Sequence, residues 1–571
     1  MAEDTQANGV GEQATTTVIG LSFGNANSSI SFSGKDGKVD IIANQDGDRS
    51  IPSMLSYVAG NEYHGLQAKA QLIRNPTNTA AYFRDFIGKP YAEIDPTYCH
   101  GSAHPVEENG VVGFKIITSA EEDAVAQFVS VAEITKRHFQ RLIHSASDFL
   151  GKSVTGAVIA VPTDFTTSQR TELVKIAKEA GVQVMQVIQE PVAALLANDA
   201  VAYGAHPKDR IVVVADYGYS RSDAAVIAVR GGMYTILATA HNYELGGSTL
   251  DDVLASFFAK EFEKKNKIDP LKDSARSLAK LKMECEVTRK TLSSSTSSTI
   301  SIESLAGGLD FYSTINRLRY ETLARSALDS VVALATDVVA KAGLDTLDVD
   351  EILLVGGCSF TPKIEGRLEA AFPESTTIIS PNSSAKALNS AELIARGAGV
   401  QASLIAGFEQ SDIDESLQPV VTTVPHLDKT VGVVLADGSF SAMLMSHTAL
   451  PIRKSKVFAA PTEGGNVVIG VWESESETVT SKVERTKPEP GEQDDEDEDE
   501  FSDDEDEDEE IRERVEKPTN KIAEITLKDV KPNAQIEVVI NIAADLKVGL
   551  AVREIGGSAV KGEVEPAQVR K

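Results

Sequence analysis

Short apolar runs alternate with amphipathic stretches from Val18 to about Gly407. Within this region the run 157–162 predicts a strand, and the run Val182–Ile188 predicts another. Between them, Thr167 and Ser168 are candidates for the N-cap of a helix. The apolar stripe of that helix consists of Leu173, Ile176, Ala177 and Ala180. Strands and amphipathic helices in alternation predict an α/β fold.

The pattern changes after Gly407. Residues 408–418 are acidic and predict a linker, whereas short alternating runs from Val420 predict strands, with turns at Asp437-Gly438 and Gly464-Gly465. A further β-rich stretch follows a long acidic run, so we expect one β domain that a disordered loop interrupts. The predicted boundaries are a disordered tail 1–16, an α/β domain 17–407, a linker 408–418, a β domain 419–563 with the loop 486–518, and a tail 564–571.

The charge of the chain restricts its partners. The 571 residues carry a formal net charge of −30, and fifteen of the seventeen residues in 494–510 are acidic. Extensive direct contact with nucleic-acid phosphates is therefore disfavoured, and a basic partner would have to make any such contact. Cys99, Cys285 and Cys358 are too far apart in sequence to suggest a disulfide framework or a metal motif, which suits a reducing compartment.

The start of the chain shows no secretory signal, and no apolar run approaches the roughly 20 residues that cross a bilayer. We therefore expect a cytoplasmic protein without a membrane partner.

Four segments carry glycine in a turn next to an apolar strand or run: 18–32, 211–226, 244–252 and 352–360. Glycine in such a turn lets backbone N–H groups approach phosphate oxygens or a flat ligand closely. Each segment taken alone is better explained as an ordinary hairpin or tight turn.

A helix predicted around 275–292 carries four polar residues at positions i, i+3, i+4 and i+7, which lie on one face. They are Glu286, Arg289, Lys290 and Ser293. This face is either a solvated surface with an internal ion pair or a clamp for a polar heterocycle and a ribose.

In this order, the segments resemble the heat shock protein 70 chaperone family. The most specific matches are Ile41–Ser53, Asn75–Thr79, Gln189–Ala194, Arg289–Thr296 and Val355–Gly357. The resemblance covers about 17–406 and continues more weakly through 420–471. It implies a two-lobed, actin-like nucleotide-binding domain with ATP in the cleft. A smaller all-β, sandwich-like domain would follow, without the family's helical lid.

The resemblance also assigns candidate nucleotide contacts. Gly24 and Asn25 fall in the first phosphate loop, and Asp216 and Gly218 fall in the second. The remaining contacts implied are Gly246 and Gly247 near the ribose and phosphates, Glu286, Arg289, Lys290 and Ser293 in the adenosine clamp, and Gly356 and Gly357 on the adenosine side.

The chain departs from the family where phosphoryl transfer is catalysed. Ser22 stands where the family has an aspartate, and Arg84 stands where it has the catalytic lysine. Asp216 and Glu190 remain as ligands that could hold Mg²⁺ through water. Arg84 keeps the charge but not the compact ammonium group, so we expect it to align the attacking water poorly.

The second phosphate loop departs as well. Tyr219, Ser220 and Arg221 replace two glycines and a threonine, and Phe360 replaces an adenine-facing arginine. Arg221 could hold a phosphate electrostatically without catalysing its transfer. We therefore predict that the chain binds ATP or ADP and is not an efficient ATPase, with Ser22, Arg84 and Arg221 as the degenerate catalytic positions.

These departures, the acidic linker and the missing lid resemble the atypical heat shock protein 70 subunit of the fungal ribosome-associated complex. The resemblance implies a stable heterodimer with the J-domain protein zuotin. It also implies contact with the ribosome mainly through that partner, and cooperation with a separate, active heat shock protein 70 on nascent chains. Two alternatives stay open: a working ATP-driven chaperone, and a nucleotide-exchange relative.

Ser502 lies in an acidic context that acidophilic kinases favour. It is either a phosphorylation site or an unmodified residue of a spacer.

Overall fold

The computed structural model describes residues 17–34, 37–96, 101–121, 124–204, 207–382, 387–417, 425–483 and 509–564. Within them the chain forms two α/β lobes and a β domain. Lobe I comprises the elements β1 Val18–Phe23, β2 Asn27–Ser33, β3 Val39–Ile42, β4 Ile51–Pro52, β5 Met54–Val58, β6 Asn61–His64, α1 Gly65–Ala70, β7 Thr79–Ala81, β8 Pro105–Glu108, β9 Val111–Ile116, β10 Gln127–Ser130, α2 Val131–Leu150, β11 Gly156–Val161, α3 Thr167–Glu179 and β12 Gln183–Gln189.

The helix α4 Glu190–Ala202 leads from lobe I into lobe II. Lobe II comprises β13 Arg210–Tyr217, β14 Ser222–Arg230, β15 Met233–Asn242, α5 Gly247–Asn266, α6 Pro270–Asp273, α7 Ala275–Ser294, β16 Ser297–Ala306, β17 Leu309–Asn316, α8 Arg317–Leu323, α9 Arg325–Lys341, β18 Glu351–Val355, α10 Pro362–Ala371 and β19 Thr377–Ile379. The helices α11 Leu393–Ile405 and α12 Gln410–Ser416 follow.

The central sheets of the two lobes share one topology. Their strand orders are β12-β11-β1-β2-β3 and β15-β14-β13-β18-β19. In each, three consecutive strands form an antiparallel meander, and two later strands add in parallel beside its first strand. This repeated α/β sheet is consistent with the predicted actin-like, two-lobed domain. Each lobe has its own apolar core, one over residues 19–184 and one over residues 211–372.

Two helices cross between the lobes. α4 packs its apolar residues on the sheet of lobe II, whereas α11 packs on β1 and β2 of lobe I. At their crossing, a Cβ on Gly397 would lie 1.7 Å from the carbonyl oxygen of Ala193, so only glycine allows the two backbones to approach this closely. This crossing connects the lobes at the base of the cleft between them.

The N-cap of α3 differs from the predicted candidates. The structure uses Thr166 rather than Thr167 or Ser168. The Thr166 hydroxyl accepts from the backbone N–H of Gln169, and the Gln169 side chain accepts from the backbone N–H of Thr166. Such a capping box satisfies two helix-end donors at once, which a cap one residue later would forgo.

The segment predicted as an acidic linker contains the short helix α12. Its Ile413 is buried in an apolar cluster with Val18 and Val158 of lobe I and with residues of α11. The acidic residues of α12 are exposed, whereas Ile413 and, beside it, Leu417 pack on lobe I. In the described part of the chain no helix follows α12.

The β domain consists of β20 Thr430–Val434, β21 Phe440–Leu444, β22 Ile452–Ala459, β23 Gly465–Val483, β24 Glu509–Val530, β25 Gln535–Ile542, β26 Val548–Glu554 and β27 Val560–Val564. Two four-stranded sheets, β21-β20-β23-β24 and β22-β25-β26-β27, enclose one apolar core, which confirms the sandwich-like architecture. Both predicted turns occur, and Gly438, Gly464 and Gly465 adopt the positive φ that such turns need.

One predicted boundary in the β domain is wrong. Residues 509–518 belong to β24, which pairs with the second half of β23, so the predicted loop cannot extend to 518. The remainder of the acidic run, including Ser502, and the predicted tail 1–16 lie outside the described residues. Of the predicted tail 564–571, Val564 ends β27 and the other residues lie outside the described ranges. None of the helices in the described ranges combines the length and the apolar character of a membrane span.

Candidate functional site

A cavity of about 560 Å³ lies between the two lobes. Most of the residues that the sequence predicts for nucleotide binding line it, from both sides of the cleft. They are Ser22, Gly24, Asn25, Arg84, Glu190, Asp216, Gly218, Arg221, Lys290, Ser293, Gly356 and Gly357, together with Phe360. The volume lies within the range of small-molecule and cofactor sites.

The two glycine turns face each other across this cavity. Gly24 closes the β1–β2 turn through its N–H to Asn27 at 3.0 Å, and Gly218 closes the β13–β14 turn through its N–H to Arg221 at 3.1 Å. A Cβ at Gly24 would lie 2.3 Å from the Asn27 carbonyl oxygen, and one at Gly218 would lie 2.8 Å from that of Arg221. Both turns therefore need glycine, as the phosphate-loop interpretation requires.

Asn25 connects the turns and keeps an unused acceptor. Its amide donates to the Ser220 hydroxyl at 3.1 Å, and both side chains are buried. The amide oxygen of Asn25 is buried and has no hydrogen-bond partner in the structure. Because an unpaired buried acceptor is costly, a ligand or water that donates a hydrogen bond would stabilise this position.

Three carboxylates meet at the floor of the cavity. One oxygen each from Glu190, Asp216 and Asp223 lie within 4.8 Å of one another. Burial, together with the neighbouring carboxylates, raises the pKa of Glu190 to about 8 and that of Asp216 to about 7. A cation placed here would relieve this repulsion.

Arg84 is fixed by its neighbours. The side chain is buried, and its Nε donates to Asp85 at 2.8 Å while a terminal nitrogen donates to Glu190 at 3.2 Å. The same terminal nitrogen lies 3.5 Å from the carbonyl oxygen of Phe23. Although burial disfavours the charged form, the Asp85 and Glu190 carboxylates raise the pKa of Arg84, so it stays a cation.

Arg221 is held even more completely. Its guanidinium donates two hydrogen bonds to Asp164, at 3.0 and 3.2 Å, and pairs with Asp223. The ring of Tyr243 covers it at 4.6 Å. Burial opposes ionisation of Asp164, yet Arg221 lowers the pKa of that carboxyl to about 2. With its donors directed at carboxylates, Arg221 has little capacity left for the phosphate contact that the sequence suggested.

The four polar residues of α7 do not face one space. Lys290 and Ser293 line the cavity, but Arg289 is buried and donates to Asp251 of α5 at 2.6 Å. Glu286 instead lines a second, smaller cavity of about 290 Å³ next to the first. It accepts from Lys69 at 2.6 Å and from Lys290 at 2.8 Å.

The glycines predicted near the ribose are separated from the cavity by Tyr219. A Cβ on Gly246 would lie 2.4 Å from the Tyr219 carbonyl oxygen, and one on Gly247 would lie 3.0 Å from the Tyr219 ring. Neither glycine lines the cavity, whereas Tyr219 lines both cavities. Gly356, in contrast, lines the cavity next to Asp216, and a Cβ there would lie 2.5 Å from Asp216 Oδ1.

These residues fit an adenine nucleotide and a hard cation. Magnesium prefers oxygen ligands, keeps several waters, and uses one or two carboxylates. Asp216 and Glu190 provide such oxygens beside the glycine turns. When bound, Mg²⁺ would neutralise phosphate charge at this floor.

Sequence reasoning did not identify Asp223, Asp164, Lys69 or Tyr82. Asp223 could have been found, because the short β13–β14 turn places it directly opposite Asp216 in the hairpin. The other three come from distant parts of lobe I, and no local pattern marks their contacts.

Comparison with known proteins agrees with this geometry. A family model described as Hsp70 protein matches residues 18–486. A heat shock protein 70 homolog of Schizosaccharomyces pombe is 46% identical over 545 residues, which cover 95% of this chain and 94% of that protein. The ribosome-associated complex subunit SSZ1 of Saccharomyces cerevisiae is 44% identical over 552 residues, which cover 96% of this chain and 100% of that protein. A heat shock 70 kDa protein of Emericella nidulans is 30% identical over 538 residues, which cover 92% of this chain and 80% of that protein.

Proposed function

The chain belongs to the Hsp70 family, and from this premise we propose that it binds adenine nucleotide, hydrolyses it poorly and acts as a co-chaperone. It would form a stable heterodimer with a zuotin-like J-domain protein and reach the ribosome mainly through that partner. There it would assist an active heat shock protein 70 in folding nascent chains in the cytosol.

The observation that carries the impaired hydrolysis is the confinement of the two cleft arginines. Arg84, at the position of the family's catalytic lysine, is clamped between Asp85 and Glu190. Arg221 is clamped between Asp164 and Asp223. Phosphoryl transfer depends on positioning a water and on charge stabilisation around the phosphates. Guanidinium groups committed to protein carboxylates supply neither.

Nucleotide binding is supported by the parts of the site that do not depend on those arginines. The turns at Gly24 and Gly218 and the polar side chains of Asn25, Lys290 and Ser293 line the cavity. Binding would use these groups, with Asp216 and Glu190 available to a Mg²⁺ ion.

Single-turnover hydrolysis of radiolabelled ATP tests this part of the proposal. We expect turnover by the native chain to be absent or far slower than that of an ordinary family member. It should rise to about 100-fold or more above the native rate, or above the detection limit, when Ser22→Asp, Arg84→Lys and Arg221→Thr restore the family residues. Arg74→Lys makes the same arginine-to-lysine exchange at an exposed position outside the cavity and should change nothing. Native turnover at the rate of an ordinary family member would refute the proposal.

The co-chaperone role is supported by the 44% identity, over nearly all of both chains, to the yeast protein named as a ribosome-associated complex subunit. The net charge of −30 supports a division of labour in which a basic partner makes the contact with ribosomal RNA.

Affinity purification of the native chain from cytosol tests the partner. We expect one J-domain protein in stoichiometric amount, together with ribosomes that are lost when the J-domain protein is deleted. Promiscuous unfolded clients would favour an active chaperone instead. An active heat shock protein 70 bound through its nucleotide domain, without a J-domain protein, would favour a nucleotide-exchange role.

A further inference from the structure

Side chains join the two lobes directly at four points around the cleft. The lobe I residues are Asn25, Lys69, Tyr82 and Asp164, and their lobe II partners are Ser220, Glu286, Tyr219 and Arg221 in the same order. Each contact is made between protein groups, so none of them needs a bound ligand to bridge the lobes. We call these contacts the interlobe ties.

Three of the ties are polar and shielded from water. The Asn25–Ser220 hydrogen bond is buried between the two glycine turns. Lys69 reaches Glu286 at 2.6 Å, with both side chains at least four-fifths buried. Arg221 donates to both oxygens of Asp164, and the hydroxyl of Tyr243 in lobe II donates to the same carboxylate. Screening by salt is weak for such pairs.

The fourth tie is an aromatic stack. The rings of Tyr82 and Tyr219 lie nearly parallel, with an angle of 9° and a centroid distance of 6.1 Å. Tyr82 adopts a φ of 57°, a left-handed conformation that is unfavourable for a bulky side chain. Such a conformation persists where the surroundings hold it in place. The stack with Tyr219 is one contact that Tyr82 makes across the cleft.

A ligand can shift a conformational equilibrium only by the difference between its affinities for the two states. Where protein contacts already favour the closed state strongly, the population is closed both with and without ligand. We propose that the interlobe ties hold the two lobes closed, so that nucleotide binding does not open or close this cleft and a bound nucleotide leaves slowly. This inference goes beyond the proposed function and does not depend on the ribosome or a J-domain partner.

A distance measurement between the lobes tests the inference. Spin labels at Asn61→Cys in lobe I and Lys265→Cys in lobe II, both at exposed positions, report the opening of the cleft. The background carries Cys99→Ser, since the other two cysteines are buried. We expect one narrow distance distribution that is the same with ATP and after complete removal of nucleotide. A longer or broader distribution without nucleotide would overturn the inference.

A second test uses variants that remove side chains of the interlobe ties. Lys69→Ala combined with Tyr82→Ala should make the distance depend on nucleotide and accelerate release of a fluorescent ATP analogue about tenfold, a change that corresponds to about 1.4 kcal/mol. Should the double variant fold poorly, Glu286→Gln removes one charge with little change of shape and should act in the same direction. Unchanged distances in both well-folded variants would contradict the inference.

Lys282→Ala is the matched control. Lys282 lines the same small cavity as Lys69, but it pairs with Asp252 inside lobe II, at 2.8 Å. It should behave like the native chain in both assays. If the chain bound no nucleotide at all, the proposed function would fail, whereas the distance distribution of the nucleotide-free protein would still decide the inference.

Discussion

At the scale of single residues, a buried histidine supports the first glycine turn. Nε2 of His138 in α2 lies 2.9 Å from the Ser28 hydroxyl, which lies 2.8 Å from that of Ser53. Ser53 in turn donates to the carbonyl oxygen of Gly24 at 2.8 Å. Burial, with a smaller contribution from His64, lowers the pKa of His138 to about 3. The ring is therefore neutral in the folded state, and the hydrogen-bond chain depends on that neutral ring.

His138 should make stability depend on pH. Its pKa is about 6.5 in an unfolded chain and lower when folded, so the unfolded state binds more protons between these values. The stability is fully present above pH 6.5 and is lost as the pH falls. We expect a loss of about 2 kcal/mol from this group between pH 7.5 and pH 5, measured by urea unfolding. His138→Gln should lack this component.

His144→Gln serves as its control, because His144 lies on the same helix but is 60% exposed. Its unfolding free energy should fall with pH as that of the native chain does. An equal pH dependence in His138→Gln and the native chain would show that His138 does not titrate on unfolding.

Residue chemistry was predictable from the sequence where it is local. The need for glycine at Gly24 and Gly218 follows from the short turns between β strands, and the structure agrees. The spacing of Glu286 and Arg289 placed them on one helix face but could not tell which neighbour that face meets. In the structure, Arg289 contacts Asp251 of α5 and Glu286 contacts Lys69 of lobe I. These partners are distant in sequence, so the helical spacing could not predict them.

At the scale of secondary-structure elements, α12 changes the picture of the acidic segment. The acidic composition of 408–418 predicts only a linker. In the structure this segment docks on lobe I through Ile413, which is 3% exposed, with Leu417 packed beside it. Two apolar positions inside an acidic run give too weak a pattern to predict a docked helix.

Replacing this anchor tests its importance. Ile413→Ala removes buried methyl groups and should cost about 2–5 kcal/mol of docking free energy. We expect faster hydrogen exchange in 410–416, measured by mass spectrometry, while the core strands of lobe I stay protected. Asp412→Ala changes the exposed face of the same helix and should leave the exchange unaltered. Equal exchange in the two variants would mean that Ile413 does not hold the helix.

The start of β24 illustrates another limit at this scale. The stretch Arg512–Asn520 places charged residues on both faces of the strand, so it lacks the apolar face that marks a half-buried strand. It is a strand because it pairs with β23 along an extended ribbon. Backbone pairing with a partner strand, which sequence patterning does not report, determines this element.

At the scale of the whole molecule, the β domain docks on lobe II. Arg230 is buried and donates to the carbonyl oxygen of Ser446, and Lys454 pairs with Asp209 at 3.0 Å. Arg514 on the β23–β24 ribbon donates to both carboxylate oxygens of Asp348, at 2.8 and 2.9 Å. The order of the domains was predictable from composition, but these pairs join residues more than 150 positions apart, which no local pattern specifies.

This docking is electrostatic at its rim, so it should weaken with salt. Exposed pairs contribute about 0.2–1 kcal/mol each, whereas a bidentate arginine–carboxylate pair is stronger. We expect Arg514→Ala with Lys454→Ala to increase the radius of gyration in small-angle scattering at low salt. High salt should increase that of the native chain but have little further effect on the variant, which lacks both pairs. Lys517→Ala breaks a pair inside the ribbon, with Glu477 at 3.0 Å, and should change neither the radius at low salt nor its response to salt.

Small-angle scattering also tests whether nucleotide binding affects the docking of the β domain. None of the docking residues lines the cavity between the lobes, and the interlobe ties hold that cavity through other side chains. The radius of gyration of the native chain should therefore be the same with and without ATP at any one salt concentration. An ATP-dependent change in the native chain would show that the cleft still controls the β domain, as in a working member of the family.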